Sequence, residues 1–412
     1  DPTSPLYVGY LESHDNLEST VRDIKTYGNY AFIVADVANH GMQIFDLTQL
    51  SNVVNSPASF EENAHFGITF AGNRLSTDEG FAQNIAINEN TGIAYVTGSN
   101  NCGGGLYMLD ISNPLTPFPV GCYTEDGYIN DVQCVVYGGP DTEYTGNEIC
   151  FASYIDGVSV IDVSDKSSPT RLSFVEMSSF ISIEQGWLTE DQRYFLMSDR
   201  DSGGNLKTYV MDVSSLDDIS ISGIYTASIN ARHGNQFVKG DYVYQAMFRG
   251  GLRVLDLSQI STGQLSEVAY FDTTPNQGGA GTNGVSGVYP FFDSGSVIIN
   301  SKIEGLFIVR PILIDSTPPS VSPSAFMEIP PTSSPTESSF PQCNNPDFAY
   351  LSIEVKADSR AKQDKNIYVV HRKNNNNKWS RIRRKKLSNN ELSTWGKCVL
   401  KNSCIRFQIF DR

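Results

Sequence analysis

Pairs of polar side chains recur where strand-like stretches of this chain begin: Arg22 and Asp23 in VRDIKTY, Gln83 and Asn84 in AQNIAIN, Asn130 and Asp131 in INDVQCV, Glu184 and Gln185 in IEQGWL, His233 and Asn235 in HGNQFV, and Asn283 ahead of VSGVY. Amides and carboxylates are oxygen donors, so a convergent set would coordinate Ca²⁺ or hydrogen-bond a polar ligand. Asp23, Asp131 and Glu184 are the candidate cation ligands among them. Asp199 and Asp201, with Asn205, offer a second oxygen-rich stretch in SDRDSGGN, and Asp141 and Glu143 a third in GGPDTEYTGNEIC. The first of these follows an EF-hand loop only over its opening residues, and a solvated turn is the simpler expectation for both. Five histidines (His14, His40, His65, His233, His371) leave little for acid–base work, and no G-x-S-x-G, P-loop or H-E-x-x-H pattern occurs. A Ser/His/Asp triad, which assembles from distant positions, has no positive support.

The elements that would position these residues are written six times over. GMQIFDLT (41–48), GLYMLDIS (105–112), GVSVIDVS (157–164) and GLRVLDLS (251–258) are one strand repeated, with degenerate copies KTYVMDVS (207–214) and GLFIVRP (305–311). Each copy sits in a longer unit, clearest at 82–125, where NIAIN, IAYVTGS, GLYMLDIS and PFPVGCY read as four strands with the period-2 alternation of sheets. Units of about 45 to 60 residues with four strands apiece predict propeller blades, hence an all-β, six-bladed β-propeller. Its innermost strands would line a central channel, which places the polar pairs around one axis. The simpler expectation there is that they satisfy one another and channel water. The Asp that ends most third strands (Asp46, Asp110, Asp162, Asp212, Asp256) has a local explanation, because its carboxylate can accept backbone N–H bonds in the following turn. The sixth unit lacks an outer strand. LYVGYLES at 6–13 matches the outer strands FPVGCYTE and SEVAYFDT, so the N-terminal strand is expected to complete the sixth blade and close the ring.

Over residues 6–311 the chain resembles the choice-of-anchor B family of extracellular proteins built from LVIVD repeats. The segments that carry the resemblance include RDIKTYGNYAFIVAD, HGMQIFDLTQL, INENTGIAYVTG, GGLYMLDISNPLTP, QCVVYGGPDTEYTGNEICF, QGWLTEDQRYFLMSD and LSEVAYFDT. The resemblance implies a secreted or surface propeller joined to a variable C-terminal attachment device, and no particular reaction. It also implies histidine at several inner-strand openings. Here Gln83, Asn130, Glu184 and Gly234 stand at those positions, with His233 one place out of step, so an imidazole-lined metal site is not expected of this chain.

Charge is split along the chain. Residues 341–412 hold 16 Lys+Arg and 6 Asp+Glu; subtracting from totals of 30 and 46 leaves 14 and 40 for residues 1–340, or +10 against −26. An acidic body of that size argues against nucleic acid as a partner. No apolar run reaches the roughly 20 residues of a membrane span. The first residue is Asp1 rather than Met, so any leader is expected to have been removed or to lie outside this sequence. Seven cysteines without a CxxC pair favour disulfides in an oxidising compartment over zinc. Cys134 and Cys150 flank one hairpin, Cys102 and Cys122 could join a turn to an outer strand, and Cys398 and Cys404 could close CVLKNSC.

These patterns divide the chain into a propeller (1–314), a Ser/Thr/Pro-rich spacer (315–342) and a small basic β module (343–412) with strands at YLSIEVKA, NIYVVHRK and CIRFQIFDR. The module is expected to continue past Arg412, which directly follows a strand. Arg381, Arg383, Arg384, Lys385 and Lys386 lie in a polar stretch read as a solvated basic loop that could hold an anionic surface. The expected function is a secreted or cell-surface module that binds glycan, protein or extracellular matrix. The alternative is a divalent-ion-dependent hydrolase or lyase with its site in the channel, and an enzyme is the less favoured of the two.

Overall fold

Strands such as Glu148–Tyr154, Tyr194–Asp199 and Gly251–Asp256 are buried along their whole length. An apolar run without alternation fits a strand covered on both faces, which is the situation of a sheet packed between two other sheets. In the computed structural model this is what the repeats build. The structure describes residues 5–19, 21–68, 82–154, 156–177, 183–199, 205–275 and 278–313, and, further on, residues 348–356, 367–373, 379–386, 388, 392–400 and 405–410. Asp1–Pro318 and Pro319–Arg412 are two separate compact units.

The first unit is a six-bladed β-propeller. Blade 1 is Arg22–Tyr27, Tyr30–Ala35, Met42–Asp46 and Ala64–Phe66; blade 2 is Asn84–Asn88, Ile93–Thr97, Leu106–Asp110 and Phe118–Tyr123. Blade 3 comprises Ile129–Val136, Glu148–Tyr154, Gly157–Asp162 and Thr170–Glu176, and blade 4 Ile183–Leu188, Tyr194–Asp199, Lys207–Asp212 and Ser220–Thr226. Blade 5 comprises His233–Lys239, Tyr242–Met247, Gly251–Asp256 and Ser266–Phe271, and blade 6 the three strands Val285–Tyr289, Val297–Ser301 and Gly305–Val309. Pairing within every blade is antiparallel, and the innermost strands follow one another around the ring in chain order.

Apolar cores fill five junctions between blades. Phe32, Val34 and Met42 meet Ile85 and Val96; Tyr95 and Met108 meet Val132 and Ile161; Phe151 and Val160 meet Phe195 and Met197. Leu196 and Val210 then meet Val243 and Leu255, and Phe237 and Val254 meet Val288 and Ile299. The sixth junction differs. Among the described residues the inner strands of blades 6 and 1 show no comparable packing, and Ile24, Tyr289 and Leu306 remain 56%, 46% and 58% exposed.

The N-terminal strand does not fill that place, contrary to the sequence-based expectation. Gly9–Leu11 pairs in parallel with Ala58–Phe60, the strand just before the outer strand of blade 1. Hydrogen bonding and anchoring decide the matter. The Ala58 amide donates to the Val8 carbonyl at 2.9 Å, Phe60 packs edge-on against Phe45, and the following residues are tied down on blade 1 by Gln43 and Arg22. A segment fixed to the first blade on its C-terminal side lands beside that blade's own chain.

The second unit contains a pair, Phe348–Lys356 with Leu392–Leu400, and a three-stranded sheet in the order Trp379–Lys386, Ile367–Lys373, Ile405–Phe410. The basic stretch is therefore a strand, not the loop expected from its polarity. Exposure alternates along it, with Arg381, Arg384 and Lys386 exposed and Arg383 and Lys385 half-buried. An edge strand tolerates such a sequence because charge on an edge opposes unwanted pairing. The spacer and Cys404 lie outside the described residues, as does any bridge from Cys398.

Candidate functional site

The polar residues at the start of the inner strands do meet other blades, and they do so sideways along the ring. Asp23 Oδ2 accepts from the Ile85 amide (3.2 Å), tying blade 1 to blade 2. Asn84 Nδ2 donates to Asp131 Oδ1 (2.5 Å), tying blade 2 to blade 3. From blade 3, Asn130 Nδ2 donates to the Ile183 carbonyl (2.8 Å) and Gln133 Oε1 accepts from the Leu188 amide (2.7 Å). Gln185 Oε1 of blade 4 accepts from the Gln236 amide (2.8 Å), and Asn235 Oδ1 of blade 5 accepts from the Val288 amide (2.8 Å). Five successive junctions are clasped by the same device, a short amide or carboxylate reaching the next inner strand.

Asp23 and Asn84 reach their neighbours from regularly paired strands, whereas backbone irregularity accompanies the clasps of blades 3, 4 and 5. The pairing of inner and second strands shifts register at Ile129/Asp131, Ile183/Gly186, His233/Gln236 and Val285/Gly287. Such bulges redirect side chains out of the strict alternation of a strand. In blade 6 the residue that corresponds in register to Asn235 is Gly287, which has no side chain with which to reach blade 1. The series of clasps stops at the junction where the apolar packing also stops.

The remaining candidates have other occupations. Arg22 Nη1 faces His40 Nε2 (3.1 Å), Asp23 also pairs with Lys25 (2.5 Å), the Tyr128 hydroxyl donates to Gln83, and Arg249 Nε donates to Asn283 (2.7 Å). His233, paired in register with Met247, is fully buried with no hydrogen-bond partner at either ring nitrogen, and burial pushes its pKa down to about 3. Asp199 is fully buried at the end of a second strand rather than placed in a solvated loop. Asp201 lies outside the described residues, as does the side chain of Glu184, whose backbone lies in the inner strand of blade 4. Among the described residues no three His, Cys, Asp or Glu side chains are grouped so as to hold a metal ion.

The third-strand aspartates cap turns. Asp46, Asp110, Asp162, Asp212 and Asp256 each accept, through Oδ1, from the amide two residues on (Thr48, Ser112, Ser164, Ser214, Ser258) at 2.7 to 2.9 Å. Both disulfides expected in the propeller are present, Cys102–Cys122 and Cys134–Cys150, the latter joining residues directly opposite in register.

Sequence reasoning missed two buried carboxylates that gather donors from a distance. Glu148 Oε1 accepts from Tyr95 (2.5 Å), Asn88 (2.6 Å) and Thr91 (2.8 Å) of blade 2 while Oε2 pairs with Lys166 (2.7 Å). Burial first, then the charge of Glu148, drives the Tyr95 pKa far above the usual tyrosine range. Asp126 accepts from Tyr123 (2.6 Å), Ser159 (2.7 Å) and Arg171. A Glu opening an otherwise apolar strand, EICFASY, was the one available signal.

The fold and these bonds define a propeller of six repeated units, five of them four-stranded. Residues 19–55, 79–125, 146–175 and 236–273 match the LVIVD repeat. The matches fall in blades 1, 2, 3 and 5, and blades 4 and 6 hold the two degenerate copies. No curated protein matches the chain. Among solved structures, a protein from Lactobacillus plantarum is similar at 11% identity over 69% of this chain and 78% of its own, with a TM-score of 0.49. The Swd1 β-propeller domain of Myceliophteria thermophila is similar at 11% identity over 68% and 79%, with a TM-score of 0.42.

Proposed function

We propose that the chain is a secreted or cell-surface recognition module, in which the propeller presents its loops to an extracellular glycan or protein and the basic unit attaches to an anionic matrix. One observation carries this reading: Asp23, Asn84, Asn130, Asp131, Gln185 and Asn235, polar side chains of the inner strands where propeller chemistry would be sought, are engaged in bonds between blades. Recognition then falls to the loops and outer strands. Two disulfides within neighbouring blades suit an oxidising compartment, and the resemblance to choice-of-anchor B proteins points the same way. Arg381, Arg384 and Lys386 expose charge on one strand for the anionic partner.

The full chain, tested against immobilised glycans and against heparin as an anionic matrix, is expected to bind without converting the ligand. Heparin binding should weaken as salt rises. Turnover of a glycan or ester, lost in Glu184→Gln, would overturn the reading.

A further inference from the structure

Three of the five histidines, His14, His40 and His65, meet where residues 12–19 cross blade 1. Two side chains of the blade hold that segment. Arg22 Nη2 donates to Ser13 Oγ (3.0 Å) and to the Leu17 carbonyl (2.8 Å), and Gln43 Nε2 donates to the Glu12 carbonyl (3.0 Å). Both holders touch one atom. His40 Nε2 lies 3.1 Å from Arg22 Nη1 and 3.1 Å from Gln43 Oε1.

His40 is fully buried, and its Nδ1 donates to the Gly41 carbonyl at 3.1 Å. In the neutral ring, Nε2 therefore carries a lone pair and accepts from Arg22. A proton on Nε2 reverses the arrangement. The ring becomes a donor, Gln43 Oε1 becomes its acceptor, and the guanidinium that faced it turns from partner into like charge.

We propose that His40 is the catch of an acid-released latch: residues 12–19 stay on blade 1 while His40 is neutral and leave it when Nε2 is protonated. The groups around the catch support this order of events. His14 stacks on His65 at 3.6 Å and 2°, pairs with Glu62 (2.7 Å) and has Asp15 at 3.7 Å, so the two carboxylates of this corner face His14 and not His40. His65 Nε2 donates to the His40 carbonyl (2.8 Å). A charged His14 and the fixed charge of Arg22 both oppose a proton on His40. Burial above all, with these charges, holds the His40 pKa below its ordinary value of 6.5. The latched state thus binds fewer protons than the released one, and its advantage is complete above about 6.5 and declines as pH falls below it. The segment also supplies most of the lining of an open cleft of about 840 Å³ that Val21, Arg22 and Asp36 complete, so release dismantles that cleft.

The test is hydrogen–deuterium exchange of the full chain, read on peptides spanning residues 10–24 between pH 7.5 and 4.5 and corrected for intrinsic rates. Protection of residues 12–19 is expected to fall at least tenfold across that range in wild type and in His14→Gln. It should stay flat in His40→Gln, which can accept from Arg22 but cannot take a proton, and be absent at every pH in Arg22→Ala. Equal pH dependence in wild type and His40→Gln, or none in wild type, would overturn the proposal. Should His40→Gln fail to fold, the ring resonances of wild-type His40 decide it. Their titration must coincide with the loss of protection, and titration at a different pH overturns the latch.

Discussion

Glu148 carries a charge into the packed space between blades 2 and 3, where it is 6% exposed and serves four donors. Truncation removes this acceptor from Tyr95, Asn88 and Thr91 and leaves Lys166 with the Val163 carbonyl alone. Glu148→Ala is therefore expected to cost about 3 kcal/mol in urea unfolding, whereas Glu148→Gln, which keeps one acceptor oxygen, should cost less. The turn-capping Asp162 is a smaller matter; Asp162→Ala should cost about 1 kcal/mol by the same measurement. His233 gives a pH-dependent expectation. Its ring stays neutral in the folded chain down to about 3, whereas the unfolded chain takes up a proton below the ordinary 6.5, so folding stability falls with pH across that window. Relative to His233→Met, wild type should lose up to about 1.4 kcal/mol per pH unit between pH 6 and 4. Parallel stability curves for the two proteins would show that the ring is not buried neutral.

At the scale of elements, the clasps and the staples make separate contributions. Gln185→Ala leaves the Gln236 amide unpaired between blades 4 and 5, and should speed hydrogen exchange at that junction more than elsewhere. Removing the Cys134–Cys150 bridge by a double serine substitution frees a short loop and is expected to cost about 3 kcal/mol. Strand order, blade number, turn-capping aspartates and both bridges were legible because each is written locally, in a repeat, an alternation or a spacing. Asn84, Asn130, Gln185 and Asn235 were legible as residues of the inner strands, but not as bonds to the next blade. The direction of the last three depends on bulges, which a sequence does not display. The basic stretch 379–386 misled for a related reason: polarity marks solvent, and an edge strand meets solvent as fully as a loop does.

For the whole molecule, the sequence divides its charge as −26 over residues 1–340 and +10 over residues 341–412. Recognition of an anionic matrix should accordingly depend on the second unit. Arg381→Glu with Arg384→Glu is expected to reduce heparin retention at low salt with no change in thermal unfolding of the propeller. Ring closure could not be read from similarity alone. LYVGYLES looks like an outer strand, but its neighbours in the chain anchor it to blade 1, and tethering outweighs pattern. The account rests on the claim that the inner-strand polar residues hold the propeller together. The most direct measurement is the unfolding free energy of Asn235→Ala in urea. A loss of about 1 to 3 kcal/mol is expected, since the Val288 amide is left without its acceptor. Unchanged or increased stability, the behaviour of a residue kept for a ligand at some expense to the fold, would contradict the claim.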